Sequence, residues 1–266
     1  MLKLKLFTGI LCLLTSFQIN AQTFTEVTNP VGGSSSFLGI YNGTLAWGDY
    51  DNDGDLDLVI AGFNIVSGNN TATTQIVTKL YRNDDGSFTD SGVELTGVQK
   101  GAIAWGDYDN DGDLDLIVTG EDADRNTFAR LYRNDAGAFV DSGVGIAAVS
   151  SSAVAWVDYN NDGFLDLAVT GTTDGLPTGA STIIYRNDGQ GNLNNSGIDN
   201  IPGFYNGSIS FGDYDNDGDS DLAFIGTTNG FSTGVTTQIY RNKGNGTFEN
   251  SNITGFKAVA WGSINW

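Results

Sequence analysis

Four times over, the sequence carries a nine-residue stretch in which acidic side chains take every second position and glycine takes the sixth. The first copy is Asp49-Tyr50-Asp51-Asn52-Asp53-Gly54-Asp55-Leu56-Asp57, and further copies begin at Asp107, Asp158 and Asp213. Self-similarity at a period of about fifty residues means that one supersecondary unit is reused and that neighbouring units bury each other's apolar faces. An aromatic residue stands two positions before each copy, at Trp47, Trp105, Trp156 and Phe211, and recurs at Trp261, giving spacings of 58, 51, 55 and 50 residues. A second marker, Tyr-Arg-Asn, follows at Tyr81, Tyr132, Tyr185 and Tyr240. A third is a large apolar residue after a glycine-containing turn, at Phe88, Phe139, Leu193 and Phe248, with Phe24 as an early copy.

Within one unit the periodicity is that of strands. Thr44 to Gly48 leads into the acidic stretch, and Leu56 to Gly62 leads out of it, short, rich in branched residues and ended by glycine. Thr74 to Tyr81 alternates as a third strand, Asn83 to Gly86 supplies a turn, and Ser87 to Asp90 begins a fourth. Four short strands per fifty residues is the unit of a β-propeller blade, so the expected fold is all-β, with four-stranded antiparallel blades and no helix beyond the leader. The blades are expected at about 40–92, 98–143, 149–197 and 204–252, with a partial fifth at 253–266. Four blades and a fraction fit either part of a larger ring or a small, irregular one. The recurrent aromatics are expected to pack between blades, the alternative being an exposed sugar-stacking role. Lys3, Lys5, an apolar run from Leu6 to about Phe17 and the small Ala21 read as a secretory signal peptide over 1–21, leaving a single domain over 22–266.

The acidic stretch reads as a cation cage. Hard divalent cations such as calcium take six to eight oxygens, alternate positions of a tight loop can point them inward, and glycine at position six permits the turn. In the first loop Asp49, Asp51, Asp53 and Asp57 supply side-chain oxygens and Asp55 its backbone carbonyl. The corresponding sets are Asp107, Asp109, Asp111 and Asp115 with Asp113, then Asp158, Asn160, Asp162 and Asp166 with Phe164, and finally Asp213, Asp215, Asp217 and Asp221 with Asp219. Phe164 is the reason for assigning position seven a backbone role, since no side-chain ligand is possible there. About four calcium ions are expected. Without a metal, carboxylates held about 6 Å apart would repel by roughly 3 kcal/mol per pair at an effective dielectric near 20. A helix-flanked calcium loop needs a bidentate Glu at position twelve, where this chain has Ile60, Val118, Val169 and Phe224. Zinc is disfavoured because the chain has no histidine and its only cysteine, Cys12, lies in the leader. The net charge is −20, and 18 of the 32 acidic residues sit in these four loops. Such a balance argues against nucleic acid and anionic membrane as partners.

The pattern Asp-x-Asp-x-Asp-Gly-x-x-Asp-Leu, preceded by Ala-Trp-Gly and followed by a branched strand ending in glycine, resembles the FG-GAP repeat, also called the VCBS repeat. It is similar to the calcium-binding blades of the integrin α-subunit propeller and to repeats of secreted bacterial surface proteins. The resemblance runs from about residue 24 to the end, with Asn160, Phe164 and Ser263 as departures. It implies a propeller fold, calcium and an extracellular or cell-surface location, with a bacterial source. The expected function is a binding or adhesion module for protein or glycan ligands, not inserted in a membrane, monomeric or part of a longer multidomain chain. A polysaccharide-active, lyase-like enzyme, or a propeller attached to one, is the alternative. No catalytic constellation stands out, and the one dense charged cluster outside the cages is Glu121, Asp122, Asp124 and Arg125. In a four-strand meander the acidic loop and the Asn-Asp turn share one face. The opposite face carries the stretches that vary most, at 62–75, 120–128, 171–182 and 226–237, and is the expected ligand surface.

Overall fold

The computed structural model describes residues 37–68, 71–229, 234–257 and 262–264. The leader, Phe24 and Trp261 lie outside the described residues. The first sheet is β1 (Ile40–Gly48), β2 (Asp57–Gly68), β3 (Thr71–Asp84) and β4 (Ser87–Asp90). The second is β5 (Ile103–Gly106), β6 (Asp115–Glu121), β7 (Thr127–Asp135) and β8 (Ala138–Asp141). The third is β9 (Ser150–Val157), β10 (Asp166–Thr172), β11 (Ala180–Asn187) and β12 (Leu193–Asn195). The fourth is β13 (Tyr205–Gly212), β14 (Asp221–Thr227), β15 (Val235–Asn242) and β16 (Phe248–Asn250). All four are antiparallel meanders with strands in sequence order, the blades of a β-propeller. A short 3-10 segment, Pro177–Gly179, precedes β11.

The second strand of each blade explains why its sequence is a continuous apolar run and not an alternation. Both of its faces are covered. Val59 and Ala61 point into a core shared with Leu116 and Val118 of the next blade, while Leu58 and Ile60 face Phe37, Leu38 and Ile40 on the other side. Ile117 in turn joins Leu167 and Val169, and Ala168 joins Leu222 and Phe224. The core is therefore a series of slabs between blades, and adjacent residues of one strand belong to different slabs.

The recurrent aromatics lock these slabs at close range. A Cβ built on Gly48 would lie 2.6 Å from the Trp105 ring, and one on Gly106 would lie 2.7 Å from Trp156. Glycine is required there because the following blade's indole lies flat on the backbone. Where the third blade has Val157 in place of that glycine, the fourth carries the smaller Phe211. The expectation of packing between blades fails for Trp47, which is 51 % exposed and whose ring meets Phe88 of its own blade at 6.0 Å between centroids. No blade precedes it among the described residues. A second correction concerns 62–75, expected as a variable loop. Gly62 pairs with Val77 and the ladder continues through Ile65 with Thr74 to Gly68 with Thr71, a ribbon extending the sheet. Phe63, Ile65, Ile76 and Val77 favour extended backbone strongly enough to carry the hairpin beyond the other blades.

Candidate metal centre

The four loops share one hydrogen-bond pattern. At position one, Asp49 accepts the amides of Asp53 at 3.1 Å and Gly54 at 3.0 Å, and Asp107, Asp158 and Asp213 repeat both bonds. The glycine has φ of +97° in the first two loops, +88° in the third and +92° in the fourth, and no atom within 4 Å of a Cβ built there. Backbone conformation alone demands it. Position nine is fully buried. Asp57 accepts Tyr50 N at 3.0 Å and Asn83 N at 2.8 Å, and Asp115, Asp166 and Asp221 hold the equivalent pairs at 2.7–3.2 Å. One carboxylate thus fastens the loop to the third strand of its blade.

The carboxylate oxygens converge in three loops. Asp49, Asp51 and Asp53 form one group, Asp107, Asp109 and Asp115 a second, and Asp213, Asp215 and Asp221 a third, each with ligand atoms within 4.8 Å of one another. In the third loop Asp158, Asp162 and Asp166 do not close to this distance, and Asn160 Oδ1 accepts the Asp162 amide at 2.9 Å. Asp51 Oδ1 and Asp109 Oδ1 are buried with no hydrogen-bond partner. Burial pushes the Asp115 carboxyl up to about 7 and Asp166 up to about 6, and raises Asp57 and Asp221 as well. Burial and then neighbouring carboxylates raise Asp51 and Asp109. Orphaned carboxylate oxygens beside carboxyls that resist ionisation are what a hard, oxygen-seeking cation would relieve, so the residues fit calcium.

Position seven is not idle. Asp55 Oδ2 accepts Asp85 N and Asp113 Oδ2 accepts Ala136 N, both at 2.7 Å, tying the loop to the Asn-Asp turn on the same face. Asp113 Oδ1 also takes the amide of Asn52, in the preceding blade, at 2.7 Å, and Asp219 takes Asn161 at 2.9 Å. In the third loop Phe164 lies on Gly189, where an added Cβ would be 2.5 Å from the ring.

Sequence reasoning missed two blade-to-blade ties. One is the position-four asparagine just described, held in left-handed backbone at φ of +57° to +60° in all four loops. The other is the asparagine of Tyr-Arg-Asn. Fully buried Asn134 donates to Tyr50 O of the preceding loop at 2.8 Å and to Leu114 O of its own at 3.1 Å, and accepts Gly137 N at 2.7 Å. Asn187 and Asn242 make the same set with Tyr108 O and Tyr159 O of the preceding loops. The signal was present in the sequence: both asparagines stand in every repeat. The tyrosines of the marker serve the segment leading into their own blade, Tyr132 through Thr96 and Tyr185 through Ala147.

The arginines diverge. Arg82 and Arg133 turn outward to Asp84 and Asp135 at 2.7 Å, whereas Arg186 reaches Asp162 at 3.3 Å and Arg241 lies 2.7 Å from both Asp215 and Asp217. The charged cluster at 121–125 is engaged structurally. Glu121 holds Lys100 and Gln99, each at 3.0 Å, and Asp122 accepts the amides of Asp124 and Asn126.

At the end of the blades away from the loops, β1, β9 and β13 each carry a two-residue irregularity of register. The first residue of each, Asn42, Ser151 and Asn206, has φ of +49° to +52°, and Lys100 takes +48° just ahead of β5. Lys100 N donates to Asn42 O at 2.9 Å and Ser151 N to Lys100 O at 2.6 Å, so successive blades are stitched around the axis. These four residues, with the adjoining glycines and Ser152, line a cavity of about 510 Å³.

The family model of the FG-GAP-like repeat matches residues 64–118 and 107–169. The first match runs from the end of β2 into β6, and the second contains the second and third acidic loops. The first and fourth loops lie outside it and carry the same bonds. No curated protein matches the chain. Among solved structures, the chain is similar to one described as the structural basis of specific recognition of non-reducing terminal N-acetylglucosamine by an Agrocybe aegerita lectin. Identity is 15 %, the TM-score is 0.44, and the likeness covers 78 % of this chain and 64 % of that one.

Proposed function

For a chain built of FG-GAP-like repeats, we propose a calcium-stabilised binding module, exported from the cell, that takes protein or glycan ligands on the face away from its acidic loops. The cavity at the axis carries this reading. It lies where four blades meet, its walls are set by backbone bonds between blades, and its side chains are not the same in every blade: asparagine at Asn42 and Asn206, but Lys100 and Ser151 in the two blades between. Variable side chains on a repeated, rigid frame are the usual arrangement of a recognition surface. The Lys100 ammonium is neutralised by Glu121 at 3.0 Å, so the cavity offers amides and hydroxyls in place of net charge. That chemistry suits a hydroxyl-rich ligand, which favours a glycan or the glycosylated part of a protein.

The acidic loops have a different task in this reading. Asp49, Asp51, Asp53 and Asp57, and their counterparts in the other three loops, would hold calcium, with position seven adding a backbone carbonyl. The bound ion supplies positive charge that lets carboxylates crowd together. The protein's own groups do the rest: position nine ties the loop to the third strand, and the two asparagines tie it to the adjacent blade. The module works by binding alone, without turnover. No helix among the described residues is long and apolar enough to cross a membrane.

A glycan array probed with the calcium-loaded protein tests this reading. Saturable binding is expected, lost in the double variant Asn42→Ala, Asn206→Ala and kept in Arg82→Ala on the opposite face. Binding that survives the double variant and is lost with Arg82→Ala would refute the assignment of the face. Release of new sugar ends from the bound glycan would refute a purely binding role.

A further inference from the structure

Resting on the calcium reading above, we infer that Arg241 is a built-in counter-ion of the fourth acidic loop, which makes that loop a weak, exchangeable cation site beside two tight ones. The Tyr-Arg-Asn marker sets an arginine next to every loop, and the residue two positions further on decides where its guanidinium goes. In the first two blades that residue is Asp84 or Asp135, which takes the guanidinium at 2.7 Å and leaves the loop clear. In the third it is Asp188, whose carboxylate is already occupied by Gln190 N at 2.9 Å and by Asn192 through its backbone amide at 3.2 Å and its side chain at 2.9 Å. Arg186 therefore leans toward Asp162 at 3.3 Å. In the fourth it is Lys243, a like charge that pairs with Glu249. Arg241 has no acidic partner in its turn, and its Nε lies 2.7 Å from Asp215 Oδ2 and its Nη2 2.7 Å from Asp217 Oδ2.

These contacts fall on positions three and five, two of the four proposed side-chain ligands. In the first and second loops Asp51 Oδ1 and Asp109 Oδ1 at position three are buried and unpartnered. The fourth loop has the same carboxylates but holds against one oxygen of Asp215 and one of Asp217 a cation that cannot lose its proton. A divalent ion entering there must displace the guanidinium or accept it as a neighbour, whereas one entering the first or second loop meets open oxygens. The third loop falls between, with Asn160 lowering its ligand charge and Arg186 at the longer distance. Four near-identical motifs are thereby graded chiefly by the arginine beside each loop.

Calcium titration of the whole chelator-stripped protein, read by isothermal calorimetry and by ion counting in native mass spectrometry, tests this. The wild type should fill two sites tightly, a third less tightly and a fourth last. Arg241→Gln should tighten one weak site by about ten-fold, the scale on which ligand charge tunes such loops. Lys243→Asp, which keeps the arginine but restores an acidic partner two positions on, should do the same. Arg82→Gln and the charge-matched control Lys257→Asp should leave the distribution of sites unchanged. Unaltered titrations in both Arg241→Gln and Lys243→Asp would overturn the inference and leave the calcium reading standing. Absence of uptake by every form, the wild type included, would overturn both.

Discussion

Replacing Asn134 by alanine should be far more damaging than replacing Asn83, although both are the asparagine of the same marker. The backbone amide of either residue still reaches the position-nine carboxylate after substitution, so only side-chain bonds change. At Asn134 three are lost: to Tyr50 O at 2.8 Å, to Leu114 O at 3.1 Å and from Gly137 N at 2.7 Å. At roughly 1 kcal/mol each, with a further 1–3 kcal/mol for leaving the Tyr50 carbonyl buried and unpaired, the loss is about 4–6 kcal/mol. Asn83 has no preceding blade among the described residues. Its bonds to Leu56 O at 3.0 Å and from Gly86 N at 2.8 Å are both solvent-exposed, so water replaces them at a cost of about 1 kcal/mol. The difference of about 3–5 kcal/mol corresponds to roughly 6–20 °C in melting temperature for a chain of this size. Thermal unfolding by circular dichroism, with calcium fixed across the pair, reads it directly. Equal shifts in the two variants would refute the idea that this asparagine couples blades, and would reduce it to a local turn residue.

Gly106→Ala forces a methyl to within 2.7 Å of the Trp156 ring and should cost about 1–3 kcal/mol in urea denaturation, as an overpacked interface does. Trp105→Ala opens a slab between blades and should cost about 3–5 kcal/mol, while Trp47→Ala, whose ring is half exposed, should cost about 1.5 kcal/mol or less. Gly54→Ala places a side chain at φ of +97° with open space around it, so its cost of about 1–3 kcal/mol should come from backbone strain alone and be visible with chelator present.

The blade and the cage were legible because the chain repeats itself. Comparing copies separated Asp53, an acid in every loop, from position seven, where Phe164 stands in for an acid. The same comparison did not reveal that Asp55 and Asp113 are engaged elsewhere, because their partners are backbone amides of a turn 30 and 23 residues on. The Asn134 tie was hidden for a similar reason: its partner is a carbonyl 84 residues away, and carbonyls leave no mark in a sequence. The ribbon at 62–75 read as a loop because its length departs from the other repeats, and unequal length is equally compatible with a longer hairpin. The axial cavity has only a weak motif, since Asn42, Lys100, Ser151 and Asn206 share a left-handed backbone but only the first and last share a side chain. Trp47 shows the limit of repeat logic: its sequence environment matches Trp105, but its burial depends on a neighbour beyond its own repeat.

The melting temperature of the protein with chelator and with added calcium bears most directly on the acidic loops. A site present only in the folded state stabilises by about 2.7 kcal/mol when the free ion is a hundred-fold above its dissociation constant, and several loops acting together multiply that. Calcium should raise the melting temperature well above its value in chelator, and magnesium, which demands a smaller and more regular oxygen shell, should raise it much less. Identical melting in chelator and in calcium would contradict the assignment of these loops as cation cages.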